Sequence, residues 1–173
     1  PPFKAAIEAG ARTIMINSGL INGVPVHANY KILTKLLKEE LGFKGLVVTD
    51  WGDIENLYKR DRVAKDNKEA VMMAINAGID MSMVAYNYEP FCDDLIALVK
   101  EGKVKEALVD DAVRRILRVK FELGLFDDPY RYCDEKREKE SIGNKAHVEG
   151  VLDMAKKSIV LLKNDKNLLP LKK

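Results

Sequence analysis

An α/β fold built on a parallel sheet is predicted by three observations. Short apolar runs alternate with amphipathic stretches, Gly or Pro punctuates most junctions, and one apolar run ends abruptly in Asp50-Trp51. The order strand, helix, strand, helix, strand, helix implies right-handed crossovers between parallel neighbours. Two architectures remain open: part of a closed eight-stranded barrel whose other strands lie upstream, or an open doubly wound sheet. Both place ligands beyond the C-terminal ends of the strands.

Residues 2–11 read as a helix ending near Gly10, and 13–17 as a short strand. Residues 18–28 are rich in Gly, Asn and Pro and read as a loop. Asn29 is placed to cap a helix through Leu41, in which Ile32, Leu33, Leu36, Leu37 and Leu41 recur at helical spacing before Gly42. Residues 46–49 form the next strand. The polar stretch 52–66 is long for a strand-to-helix connection, which marks it as functional.

Helical spacing returns over 67–77, with Ala70, Met73, Ala74 and Ala77 on one face and Gly78 closing the helix. A third strand is expected over 79–84. Pro90 suits the first turn of a helix running to about residue 100, and another begins at Val104 or Asp110 and ends at Gly124. Residues 127–144 carry Pro129 and the charge run 134–140 and read as a solvated connector. A helix over 147–157 and a strand over 158–162 complete the prediction.

Composition narrows the function classes. Among 173 residues, 29 Lys plus Arg oppose 27 Asp plus Glu, so the net charge of +2 gives no electrostatic reason to expect nucleic acid or an anionic membrane. No apolar run reaches the roughly 20 residues that span a bilayer. Gly-x-Gly-x-x-Gly and Walker-type phosphate loops are absent from the sequence. Cys92 and Cys133 are too few for a disulfide scaffold and are expected to be buried thiols or a single bridge. His27 and His147 lack metal-ligand spacing and are expected to be structural. The chain opens on Pro1 within a helical pattern, so it is expected to be a piece of a longer protein.

Asp50 is the leading candidate for chemistry. An acid at the end of a parallel strand points into the pocket rather than the core, and Trp51 beside it can cover the apolar face of a sugar ring. Asp53 and Glu55 follow on the same loop and are expected to be turn or cap residues. Asp80 is expected to fix backbone hydrogen bonds at the sheet. Met15 and Ser18 close the preceding strand and so are candidates to face the same pocket.

Several motifs in fixed order strengthen the Asp50 assignment: Asn22-Gly23-Val24-Pro25, His27-Ala28-Asn29, Gly42-Phe43-Lys44-Gly45, Val48-Thr49-Asp50-Trp51, Ala77-Gly78-Ile79-Asp80-Met81, Arg114-Arg115-Ile116-Leu117 and Gly124-Leu125-Phe126-Asp127. Together with Leu161-Leu162-Lys163-Asn164 and Leu168-Leu169-Pro170-Leu171, they closely resemble glycoside hydrolase family 3 along nearly the whole chain. The resemblance implies the last three or so βα units of a β/α barrel over 1–126 and a connector over 127–157. It also implies the first strand of an α/β sandwich domain within 158–173.

The resemblance further implies a retaining β-glucosidase or exo-β-glucanase acting on β-linked glucose, without cofactor or metal and outside the cytoplasm. Asp50 is then the nucleophile, the general acid lies outside this chain, and Trp51, Met15 and Ser18 contact substrate. Ser18 stands where many members carry Tyr, which puts the glucose contacts in question. The alternatives are a β-N-acetylglucosaminidase or β-xylosidase of the same family, or a non-catalytic carbohydrate-binding or structural fragment. An isolated fragment of this kind is expected to be inactive.

Overall fold

The computed structural model describes residues 1–84 and 86–171, which divide into two compact units, Pro1–Pro129 and Tyr130–Lys173. In the first unit, β4 (Leu46–Val48) pairs in parallel with β1 (Thr13–Met15), placing Ile14 opposite Val47. On the other side of β4 the chain returns at Met81. There the Asp80 and Met81 N–H groups donate to Val47 O and the Thr49 N–H donates to Met81 O, forming a single parallel bridge.

The third strand expected over 79–84 is therefore one bridge long, and side chains explain why. Asp80 Oδ2 accepts the Val47 N–H at 2.8 Å, and Thr49 Oγ1 accepts the Met83 N–H at 2.8 Å. Backbone groups that would extend the ladder are satisfied by side chains on either side of the bridge.

β1 is likewise shorter than expected. Ile16 N–H still donates to Val48 O at 3.0 Å, but the chain then turns into a hairpin of β2 (Leu20–Ile21) and β3 (Val24–Pro25). Asn22 and Gly23, with φ of 51° and 79°, supply the two left-handed residues that such a tight turn needs. At the entrance to β4, a Cβ on Gly45 would lie 2.0 Å from Arg12 O, so only glycine allows the strands to approach there.

The expected helix forms over Lys31–Glu40, as a π-helix. The Leu41 N–H reaches back to Leu36 O, five residues earlier, while Leu33 and Leu37 are buried. Asn29 lies one residue outside the Tyr30 cap position, yet its Oδ1 accepts the Ile32 N–H at 3.3 Å.

α1 (Pro2–Glu8) precedes β1, and within the stretch read as a long loop α2 (Asp53–Lys59) forms and buries Ile54 and Leu57. It packs on α3 (Asn67–Ala77), which Asp66 caps through the Glu69 N–H and which buries Ala70, Val71, Ala74, Ile75 and Ala77. α4 (Glu89–Lys100) also packs on α3. α5 (Glu106–Glu122) is tied to the entrance of β4 by Arg115, which donates to Phe43 O and Gly45 O, and by Arg118, which donates to Lys44 O.

Below the bridge lies a buried charge cluster. Lys38 Nζ donates to Asp80 Oδ1 at 2.6 Å and Arg115 Nε lies 4.0 Å from the same oxygen, with both cations mostly buried. Burial pushes the Lys38 ammonium below its ordinary value, and Asp80 opposes that shift. Asp80 thus fixes backbone hydrogen bonds, as expected from its position.

In the second unit, Asp134 caps α6 (Glu135–Ser141) and Asn144 caps α7 (Lys145–Ser158). The charge run read as connector is helical: Asp134 caps it, and Lys136 and Lys139 each sit four positions from an acid, Glu140 and Glu135 respectively. The strand expected over 158–162 does not form. Ser158 ends α7, Ile159 is extended, and among the described residues this segment has no strand partner to pair with. Cys92 and Cys133 are both free and exposed, which corrects the expectation of buried thiols or a bridge. No helix among the described residues is long and apolar enough to cross a membrane.

Candidate active site

Three chain segments converge beyond the C-terminal end of β4: residues 16–18, 49–51 and 81–83. Asp50 is half-buried; its Oδ1 accepts the Trp51 N–H at 2.6 Å and its Oδ2 lies 3.3 Å from the Ser18 hydroxyl. Gly52, at φ 68°, turns the chain so that α2 begins at Asp53, and its N–H donates to Met83 O. Trp51 is 54% exposed, and its ring meets Tyr86 edge-on with centroids 6.0 Å apart. An indole so presented offers an apolar face and a polar edge to a pyranose ring.

A second carboxylate lies behind the first. Asp53 is 2% exposed; its N–H closes a turn onto Asp50 O, as its position suggested, but Gly52 and not Asp53 occupies the cap position. The Asp53 carboxylate accepts from Ser18 Oγ and from Asn56 Nδ2, and Arg60 lies 3.7 Å away. Arg60 also donates to Ser18 O at 3.0 Å. Both Asp53 oxygens are thus engaged by protein donors, which fixes the side chain in place. Glu55 points elsewhere and pairs with Lys59 on the helix surface.

His27 completes the buried side of this network, 3.6 Å from Asp53. That separation would suit an ion pair, but burial is the larger influence and lowers the imidazole below its ordinary range, with Arg60 adding to the effect and Asp53 opposing it. His27 is therefore neutral at neutral pH. Its Nε2 is buried with no hydrogen-bond partner among the described residues.

Because the folded imidazole binds its proton less readily than the unfolded one, the His27 contribution is complete above about pH 6.5 and declines as pH falls below it. The urea midpoint is expected to drop between pH 7.5 and pH 5, and His27→Gln is expected to flatten that slope. An identical slope in the variant would contradict this account.

Of the residues singled out from sequence, Asp50, Trp51 and Ser18 come together. Met15 instead lines an apolar groove with Phe3, Ile21, Ile32 and Leu36 and makes no hydrogen bond to the others. Asp53, His27 and Arg60 belong to the constellation although sequence reasoning did not place them there. Among the described residues no group of His, Cys, Asp and Glu is arranged to hold a metal.

Residues 1–119 match the family described as "Glycosyl hydrolase family 3 N terminal domain". The chain belongs to glycoside hydrolase family 3. Its α/β architecture is consistent with part of that family's barrel domain. It is 46% identical to a lysosomal beta glucosidase of Dictyostelium discoideum over 99% of this chain and 21% of that protein. It is also 41% identical to a putative beta-xylosidase of Formosa agariphila over 100% of this chain and 22% of that protein. A solved beta-glucosidase from Listeria innocua superposes with a TM-score of 0.78 at 33% identity, over 100% of this chain and 23% of that one. That enzyme has also been solved with glucose bound. The chain spans about a fifth of the length of these relatives.

Proposed function

We propose that this chain carries the nucleophile of a retaining β-glucosidase or exo-β-glucanase, and that the nucleophile is Asp50. The observation that carries this reading is the half-buried Asp50 carboxylate at the end of β4, oriented through both oxygens beside the open face of Trp51. Asp50 attacks the anomeric carbon of a terminal β-linked glucose as the bond to the leaving oxygen breaks, and a general acid outside this chain protonates that oxygen. Water then attacks the same carbon and releases Asp50. The two carboxyl groups must lie about 5 to 5.5 Å apart for this double displacement.

No cofactor takes part. In this reading, residues 1–126 belong to the barrel, 127–157 to the connector and 158–173 to the start of the second domain. Without the general acid and the other substrate-orienting groups the chain alone is inactive.

The test is proton NMR of an aryl β-glucoside turned over by the full-length protein. β-Glucose is expected as the first product, equilibrating later with the α-anomer. An α-anomer formed first would contradict the retaining mechanism, and no turnover of any glycoside would favour a binding module. The likeness to a putative beta-xylosidase supports a second reading, in which xylose replaces glucose. A kcat/KM for the aryl β-xyloside more than about tenfold above that for the glucoside would favour it.

A further inference from the structure

Ser18 Oγ lies within hydrogen-bonding reach of both Asp50 Oδ2 and Asp53 Oδ2. A hydroxyl has one proton to donate, so it cannot serve two carboxylates equally. The Asp53 contact is the closer, and Asp53 is held in place by Asn56 at 2.7 Å and by Arg60. Arg60 also fixes the Ser18 backbone through its carbonyl. His27 faces the same carboxylate but is neutral, which leaves Arg60 as the cation opposing Asp53.

Asp50 is constrained differently. Its Oδ1 is held firmly by the Trp51 N–H at 2.6 Å, whereas its Oδ2 meets Ser18 at 3.3 Å. With its proton directed to Asp53, Ser18 Oγ bounds the rotation of the Asp50 carboxylate as a neighbouring oxygen 3.3 Å away and leaves the lone pairs of Oδ2 unengaged. Oδ2 is thus both oriented and available.

We infer that Ser18 is a positioning residue that sets the rotation of the Asp50 carboxylate, and that Asp53 and Arg60 act on Asp50 through it. This inference rests on the assignment of Asp50 as nucleophile. It changes the role of Ser18 from sugar ligand to support for the attacking group. A misplacement of reacting atoms by about 1 Å costs on the order of a hundredfold in rate, so a lost rotational constraint is large enough to measure.

The experiment follows inactivation of the full-length protein by an activated 2-deoxy-2-fluoro-β-glucoside, whose rate reports nucleophilic attack with little dependence on the general acid. Ser18→Ala is expected to slow inactivation by about tenfold or more, and Ser18→Thr, which keeps the hydroxyl, to stay within about threefold of wild type. Asp53→Asn is expected to slow it as well. The double variant should be no slower than the slower single, because both substitutions remove one coupled arrangement. Inhibition by glucose should change by less than about twofold in Ser18→Ala, since the hydroxyl is not a sugar ligand.

A wild-type rate in Ser18→Ala would overturn the inference, as would effects that multiply in the double variant. A loss of glucose affinity matching the loss of rate would make Ser18 a substrate ligand instead. Should Asp53→Asn fail to fold, the two Ser18 variants decide the matter alone, because that side chain is exposed. A wild-type label on a residue other than Asp50 overturns the functional reading itself, whereas a label on Asp50 with full rate in Ser18→Ala overturns only this inference.

Discussion

On the assignment of Asp50 as nucleophile, Asp50→Asn is expected to abolish glycoside turnover by the full-length protein, lowering kcat by at least about 10⁴-fold. The amide keeps the shape of the carboxylate and can still accept the Trp51 N–H, so the geometry around it survives. What the substitution removes is the carboxylate oxygen proposed to attack the anomeric carbon. Asp50 is only half-buried and forms no ion pair among the described residues, so thermal unfolding should shift little. Turnover of an aryl β-glucoside, measured beside the melting temperature, checks both parts. Retention of more than about a tenth of wild-type kcat would remove Asp50 from the mechanism.

The largest expected loss of stability lies below the sheet. Asp80 accepts hydrogen bonds from the Val47 N–H and Lys38 Nζ, with Arg115 within ion-pair reach. Replacing it with Ala leaves two mostly buried cations without that anion, together with a buried N–H donor. Removing one partner from such a group costs about 3 to 5 kcal/mol. Asp80→Asn keeps an acceptor for Val47 and should cost less. Urea unfolding of both variants gives the comparison; a loss under about 1 kcal/mol in Asp80→Ala would show that water already reaches the cluster.

The strand ending in Asp50 was legible because a run of apolar residues followed by Asp-Trp has few other readings in an alternating α/β pattern. Helix α3 was equally legible from its small apolar face and Gly78. Other features depend on partners distant in sequence. Asp53 was read as a loop residue, since nothing nearby announces that it is buried against Ser18 and His27, which lie far upstream.

Helix α2 was hidden in a polar stretch, although Ile54 and Leu57, three apart, were its signal. The spacing of Ile32, Leu33, Leu36 and Leu37 announces a helix but does not separate α from π, because both bury one face. The shortened strand at Met81 could not be foreseen, because it depends on Asp80 and Thr49 side chains replacing backbone acceptors. The segment over 158–162 has the composition of a strand, but composition alone supplies no partner.

The most direct test of the central claim is to map the covalent label left by an activated 2-deoxy-2-fluoro-β-glucoside on the full-length protein. The fluorine slows release of the glycosyl-enzyme, so peptide mass spectrometry can locate it. A single adduct on the peptide spanning residues 46–59, with fragmentation placing it on Asp50, is the predicted result. Turnover of β-glucosides accompanied by an adduct on any other residue would contradict it.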